Sequence, residues 1–205
     1  MIALSVEVPI ACWRRGHARE YLETFEIPPP STAFGFLLSL IGEVDRDRHR
    51  GARVATGIVG SPAISKVLRT VWRIKNGKDG MGNKENARPD WQELVTNARV
   101  IVLVDAGEDA STPDLETRVR AALANPSSVR RFGGLSLGES SHLVNAIDPL
   151  TELPPDSVLW LADPLGDVSA PVWVDHVGSS GSRYGSGRIG VASVIPAPPA
   201  LCVVR

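Results

Sequence analysis

Residues 25–42 read FEIPPPSTAFGFLLSLIG. Three consecutive prolines, Pro28 to Pro30, hold the chain extended and exclude helix before them. Ser31 then offers a hydroxyl as N-cap. Phe34, Leu37, Leu38 and Ile41 fall at i, i+3, i+4 and i+7, one face of a helix. Ala33, Phe36 and Leu40 cover most of the remaining surface, so the predicted helix is apolar nearly all round and belongs inside a core. Gly35 suits close approach of another backbone, and Gly42 ends the helix. So stiff an entry serves one of two purposes: packing, or a helix mouth held ready for a charged ligand.

Outward from this helix, residues 2–12 alternate as a strand, and residues 13–24 read as a loop holding Trp13, Arg14, Arg15, His17 and Arg19. After a charged loop, residues 54–60 suggest a short strand weakened by two glycines. Residues 64–75 read as a strand with Ile64, Leu68, Trp72 and the misfit Lys66 on one side. Arg69, Arg73 and Lys75 share the other side with Val67 and Val71. Residues 76–90 lack a hydrophobic period and read as a long tip, and 99–104 as a strand. The second helix covers 112–125, with Thr112 as cap and Pro113 at its first position. Residues 157–162 and 171–177 read as strands, residues 178–190 as a Gly-rich loop, and 191–204 as a last strand broken by prolines.

Strand, helix, strand, strand, helix, strands is the plan of an α+β, ferredoxin-like (RRM-like) fold. The expected domain spans 1–145, with a hairpin insertion over about 64–104, and a C-terminal β-rich region, 146–205, packs on it. Sheets of this plan are platforms for single-stranded RNA. The chain of 205 residues has a net charge of −1, which alone says nothing for nucleic acid. Its distribution says more: residues 61–99 hold eight Lys and Arg against four acids, a local +4 on an acidic remainder. A solvated surface hairpin is the competing explanation. Two distant cysteines, Cys12 and Cys202, read as buried thiols in a reducing compartment. The N-terminal stretch does not read as a signal peptide, and no apolar run is long enough for a membrane span. These features point to the cytoplasm and away from a membrane.

Two motifs fail on context. GLSLG (134–138) matches a nucleophile elbow at Ser136, with Asp163 or Asp175 and His176 following, but the polar SSVRRFG before it is no buried strand. GSGRIG (185–190) matches a dinucleotide fingerprint without the strand before or the helix after it. Its remaining readings are a phosphate-approaching loop with Arg183 or Arg188, or a connector. The four histidines show no metal-ligand spacing and no carboxylate pair stands out, so neither metal nor cofactor is expected.

EIPPPSTAFGFLLSLIG, after a first strand and an Arg-containing loop, resembles the N-terminal signature of the fifth Cas protein family. RRFGGLSLGESSHLV, after the second helix, resembles that family's second recurring block. The resemblance covers most of residues 1–145 and is nearest the DevS-type branch. It implies a RAMP fold and a subunit of a type I CRISPR surveillance complex, Cascade, which caps the 5′ handle of the crRNA. The basic hairpin would be a thumb folding over RNA against a backbone subunit of the seventh Cas family. A large subunit would dock nearby and read target DNA near the flank motif.

Carried onto this chain, the resemblance makes Arg14, Arg15 and His17 handle contacts, with Pro30, Ser31 and Thr32 shaping the helix mouth. It places Arg69, Trp72, Arg73 and Lys75 in the thumb stem, with Lys78 and Lys84 at its tip. Arg130, Arg131, Phe132, Ser136, Leu137, Gly138, Ser140, Ser141 and His142 would form a second wall. One branch of the family cuts repeat RNA with a lysine and a histidine close together; no such pair occurs here, so no catalytic residue is assigned. Repeat-RNA cleavage and a plain protein-interaction domain stay open as alternatives.

Overall fold

The proline-entered helix lies against one sheet that gathers strands from the whole length of the chain. The computed structural model describes residues 1–15, 21–72, 74–174 and 181–204, the side chain of Val71 excepted. Among these, ten strands form a single sheet. Its path runs β6 (Ala146–Leu150), β1 (Ile2–Ala11), β5 (Ala87–Asp105), β3 (Arg53–Val59), β7 (Ser157–Ala162), β9 (Arg183–Val191), β8 (Val168–Trp173). β2 (Tyr21–Leu22) and β4 (Ala63–Trp72) pair with the outer half of β5, and β10 (Cys202–Val203) pairs with β3. All these pairings are antiparallel except β2 with β5. The helices are α1 (Pro30–Leu40) and α2 (Leu115–Ala124).

Alternation decides which face meets the helices. Leu4, Val6 and Val8 of β1, Val100, Val102 and Val104 of β5, and Val54 and Ile58 of β3 join Phe34 and Leu37 of α1 in the main core. Ala3, Ile101, Leu103 and Ala55 point the other way, onto Leu153, Leu159 and Leu201. Both faces of the central strands are thus covered. α1 is wedged between the sheet, α2 and β8, with Phe34 tilted against Trp173 at 6.0 Å between ring centroids.

Several local expectations change. α1 begins at Pro30 with Pro29 as N-cap, and no side chain caps it. Pro30 sits at the first helical position, where a missing N–H costs nothing, so Ser31 enters the first turn and is buried. Asp114, not Thr112, caps α2, its Oδ1 accepting from the Thr117 amide at 2.8 Å. The strand expected over 99–104 begins at Ala87, inside the predicted tip. Polar residues at its buried positions, Asp90 and Gln92, hide the period there. The tip itself is built around buried Asn86. Its Oδ1 accepts from the amides of Lys75 (2.7 Å) and Asn76 (2.9 Å), and its Nδ2 donates to the carbonyls of Asn76 and Asp79. GSGRIG is strand, not loop: a Cβ on Gly187 would lie 2.4 Å from the Trp160 ring, so glycine is what lets β9 cross that indole. Of the strand expected over 191–204, Val191 closes β9 and the rest gives only a 3-10 turn and β10. β6 and β2 were not anticipated. Of the strand expected at 171–177, residues 175–177 lie outside the described residues, as do Asp175 and His176.

A buried ionic network ties the end of α1 to α2. Arg118 donates to His49 Nε2 (2.9 Å), so the His49 hydrogen sits on Nδ1 and points to Asp109 Oδ2 (2.7 Å). Asp109 also accepts the amides of Ser111 (2.9 Å) and Leu115 (2.8 Å), and Glu43 pairs with Arg118. Burial alone would raise the Glu43 carboxyl; the Arg118 hydrogen bond, the Asp45 amide and the charges of Arg118 and Arg48 outweigh it and hold it at about 2. A depressed folded pKa stabilises above the unfolded value and loses that contribution as pH falls toward the folded one. Wild type is therefore expected to lose stability relative to Glu43→Gln between about pH 4.5 and 2. Urea unfolding of both proteins across that window checks it; parallel curves would sink it.

Candidate nucleic-acid interface

Three segments meet at the N-terminus of α1: the chain after β1, the residues leading into the helix, and the loop 134–143. Trp13 is the peg between them. It is 1% exposed, its Nε1 donates to the Leu137 carbonyl (3.2 Å), and its amide donates to Thr24 Oγ1 (2.9 Å). His142, expected at the RNA surface, is instead 6% exposed, and its Nδ1 accepts the amides of Cys12 (3.2 Å) and Glu139 (3.0 Å). Burial lowers its pKa, against the pull of Glu139 and with the help of Arg69. The ring thus organises the loop from within. Gly138 has φ +129, and a Cβ there would fall 2.9 Å from His142 Nδ1, so the turn requires glycine. Leu137 is fully buried beneath it. Ser136 lies in an isolated bridge to Leu143, without the strand-to-helix geometry of a nucleophile elbow.

Above these anchors lies a cleft of about 390 Å³ lined by Arg14, Ser31, Thr32, Gly138, Glu139 and Tyr184, among others. Arg14 is exposed at its mouth, and Ser140 and Ser141 are exposed on the adjoining turn. Helix geometry leaves the Ser31 amide without an intrahelical acceptor, while Thr32 and Ala33 both donate to the Pro29 carbonyl. Arg15 faces a neighbouring pocket of about 460 Å³ beside Pro28 and Pro29, with its guanidinium 6.0 Å from the Phe25 ring. Pro30 is buried at the helix start. His17 and Arg73 lie outside the described residues.

β4 and the outer half of β5 form the long hairpin. Arg69 reaches from it into the cleft wall, its Nη1 and Nη2 gripping Glu139 at 3.0 and 3.1 Å, with Gln92 Nε2 on the same carboxylate at 3.0 Å. Trp72 stands on the opposite face, 63% exposed, its ring against Gly82 of the tip. Lys75 and Lys84 make exposed pairs with Glu85 (3.7 Å) and Asp79 (3.6 Å), of the kind that contributes little, and Lys78 is exposed. Arg130, Arg131 and Phe132 do not join the cleft. They rim a separate groove along the flank of α1, because the chain turns at Gly133 and Gly134 before the anchored loop begins. The expected second wall is therefore two walls.

Sequence reasoning missed Glu139, Gln92 and Tyr184. The alternation of β4, which puts Arg69 on the side opposite Trp72, was the signal that Arg69 faces inward. Among the described residues no three His, Cys, Asp or Glu side chains gather where they could hold a metal. No helix there is long and apolar enough to cross a membrane.

A family model described as CRISPR-associated protein (Cas_Cas5) matches residues 1–148. A CRISPR-associated protein Cas5 of Myxococcus xanthus (strain DK1622) is 51% identical over 201 residues, covering 97% of this chain and 93% of the relative. Two solved structures share the fold. A chain of a CRISPR RNA-guided surveillance complex aligns with a TM-score of 0.66 at 13% identity, covering 94% of this chain and 90% of that one. A crystal structure of a Cas protein aligns with a TM-score of 0.55 at 19% identity, covering 97% and 99%.

Proposed function

The chain belongs to the CRISPR-associated Cas5 family, and from that premise we propose that it is a non-catalytic subunit of a Cascade-type complex that caps the 5′ handle of crRNA. The observation that carries this reading is the meeting of Arg14, the mouth of α1, the Gly138 turn and the inner face of the hairpin at one cleft. A cleft with Arg14 at its mouth, the hydroxyls of Ser31, Thr32 and Tyr184 along it, and Glu139 already neutralised by Arg69 suits phosphate and 2′-OH groups. We read the order β6-β1-β5-β3 with two helices as the ferredoxin-like arrangement. Lys75, Lys78 and Lys84 at the hairpin tip would meet phosphates as the thumb folds over RNA against a seventh-family backbone subunit. The large subunit and target DNA beside the flank motif are further proposed partners, in the cytoplasm, where two free cysteines are at home.

Among the described residues a non-catalytic role is favoured by both histidines: His142 spends its Nδ1 on two amides, and His49 lies wholly buried. Neither ring is free to serve as a base. Repeat RNA incubated with the protein in EDTA is expected to stay intact; accumulating product would restore the nuclease reading.

The test is to purify a tagged copy from cells expressing its genomic neighbours, crosslink, and sequence the bound nucleic acid. One short RNA species with a common 5′ end, crosslinked to Arg14, Thr32 or the hairpin tip, is the expected result. Heterogeneous RNA, or none with a protein partner still bound, would overturn it.

A further inference from the structure

β4 is a ten-residue edge strand without the usual safeguards. It pairs with β5 along one side, and among the described residues nothing pairs with its other side. Natural edges are guarded by shortness, a bulge, a proline or a bare charge. The β4–β5 register runs unbroken from Ala63 to Trp72, and β4 holds no proline. Its two charged residues are Lys66 and Arg69. Glu139 grips Arg69 through both Nη atoms, and Glu93 Oε1 lies 3.8 Å from Lys66 Nζ. Each charge already faces an acid of its own chain and guards the edge poorly.

The edge is also apolar. Ile64, Leu68 and Trp72 alternate onto one face, where Trp91 of β5 stands opposite Leu68. Leu68, Trp72 and Trp91 are each at least half exposed. The order of residues says what fits such an edge. Turned end for end about Leu68, β4 is its own complement. In an antiparallel pair of two β4 strands centred there, Leu68 meets Leu68, Ile64 meets Trp72, Lys66 meets Thr70 and Val67 meets Arg69. On the exposed face each apolar residue meets an apolar one, and no basic residue meets another. Neighbouring registers do worse. A centre at Lys66 or at Arg69 sets like charges directly opposite, which destabilises a pair. A centre at Val67 sets Lys66 against Leu68 and carries Trp72 past the strand end to Pro62.

We propose that the free chain is a two-fold dimer, in which β4 of one copy pairs edge to edge with β4 of a second copy, antiparallel and centred on Leu68. The two sheets then run on as one. The contact is isologous and closed: once paired, neither β4 has a free edge, and association stops at two. The pairing needs no RNA, so it stands or falls apart from the capping reading.

The experiment is sedimentation equilibrium of the purified full chain, cleared of nucleic acid, over a concentration series. Wild type is compared with Leu68→Lys and Thr70→Glu. Both substitutions change exposed side chains, and an unaltered circular dichroism spectrum checks that each variant is folded. Wild type is expected at twice the mass of the chain. Leu68→Lys puts two ammonium groups together on the two-fold axis and is expected to weaken the dimer at least about tenfold. Thr70→Glu puts a carboxylate opposite the second copy's Lys66, twice per dimer, and is expected to tighten it about 2- to 30-fold. Adding Lys66→Gln to Thr70→Glu is expected to remove that gain. A monomeric wild type, or open-ended aggregates, would overturn the proposal. So would a dimer indifferent to both substitutions, because it would use another surface.

Discussion

Trp13→Ala is expected to lower folding stability by about 3–5 kcal/mol and to abolish RNA retention with it. The indole is 1% exposed and belongs to the main core, so truncation leaves a large cavity. It also removes the donor to the Leu137 carbonyl, which is then buried without a partner. Both losses fall at the one point where the chain after β1 holds the 134–143 loop. Trp13→Phe separates them: it keeps most of the volume and loses the hydrogen bond, at an expected cost of about 1–3 kcal/mol. Denaturant unfolding of the three proteins at pH 7 is the measurement. A loss below about 1 kcal/mol for Trp13→Ala would mean that the loop is held elsewhere.

Neutralising Lys75, Lys78 and Lys84 together to Gln is expected to weaken RNA binding about 100-fold at 0.1 M salt while leaving the fold intact. Each phosphate contact on a single strand contributes about 0.7 to the slope of log affinity against log salt. Three contacts give a slope change near 2 and hence about two decades at that concentration. The fold should tolerate the change because Asn86, not the lysines, staples the tip, and the ion pairs of Lys75 and Lys84 are exposed. Filter binding across a salt series reads both numbers. An unchanged slope would remove the thumb tip from the RNA path.

Much of this was legible in the sequence, for reasons that differ by element. α1 and β1 carry apolar patterns dense enough to allow one reading, and both blocks flanking the cleft were marked by their glycines and prolines. β9 was not legible. Its glycines are those of a flexible loop in any local reading, and only Trp160 beneath Gly187 explains them. The outer half of β5 was hidden because Gln92 is buried for the sake of Glu139, a partner 47 residues away. Glu139 carries no local signal either, because its partners Arg69 and Gln92 are 70 and 47 residues away. His142 looked like a ligand-facing histidine among serines; nothing local says that two distant amides claim it. Arg130 to Phe132 share one recurring block with Gly138 and His142, which says nothing of the turn at Gly133 and Gly134; past it the two stretches line separate pockets.

The Arg69–Glu139 fork has a consequence for how binding would be counted. A lysine or arginine in open solvent keeps a mobile counterion, and a phosphate that displaces it leaves a trace in the salt dependence. The counterion of Arg69 is part of the chain. A phosphate that took Arg69 from Glu139 would set free a carboxylate that cannot diffuse away, so that exchange would release no ion. A salt titration of this protein would then undercount its phosphate contacts by one, and the missing contact would be the one nearest the cleft.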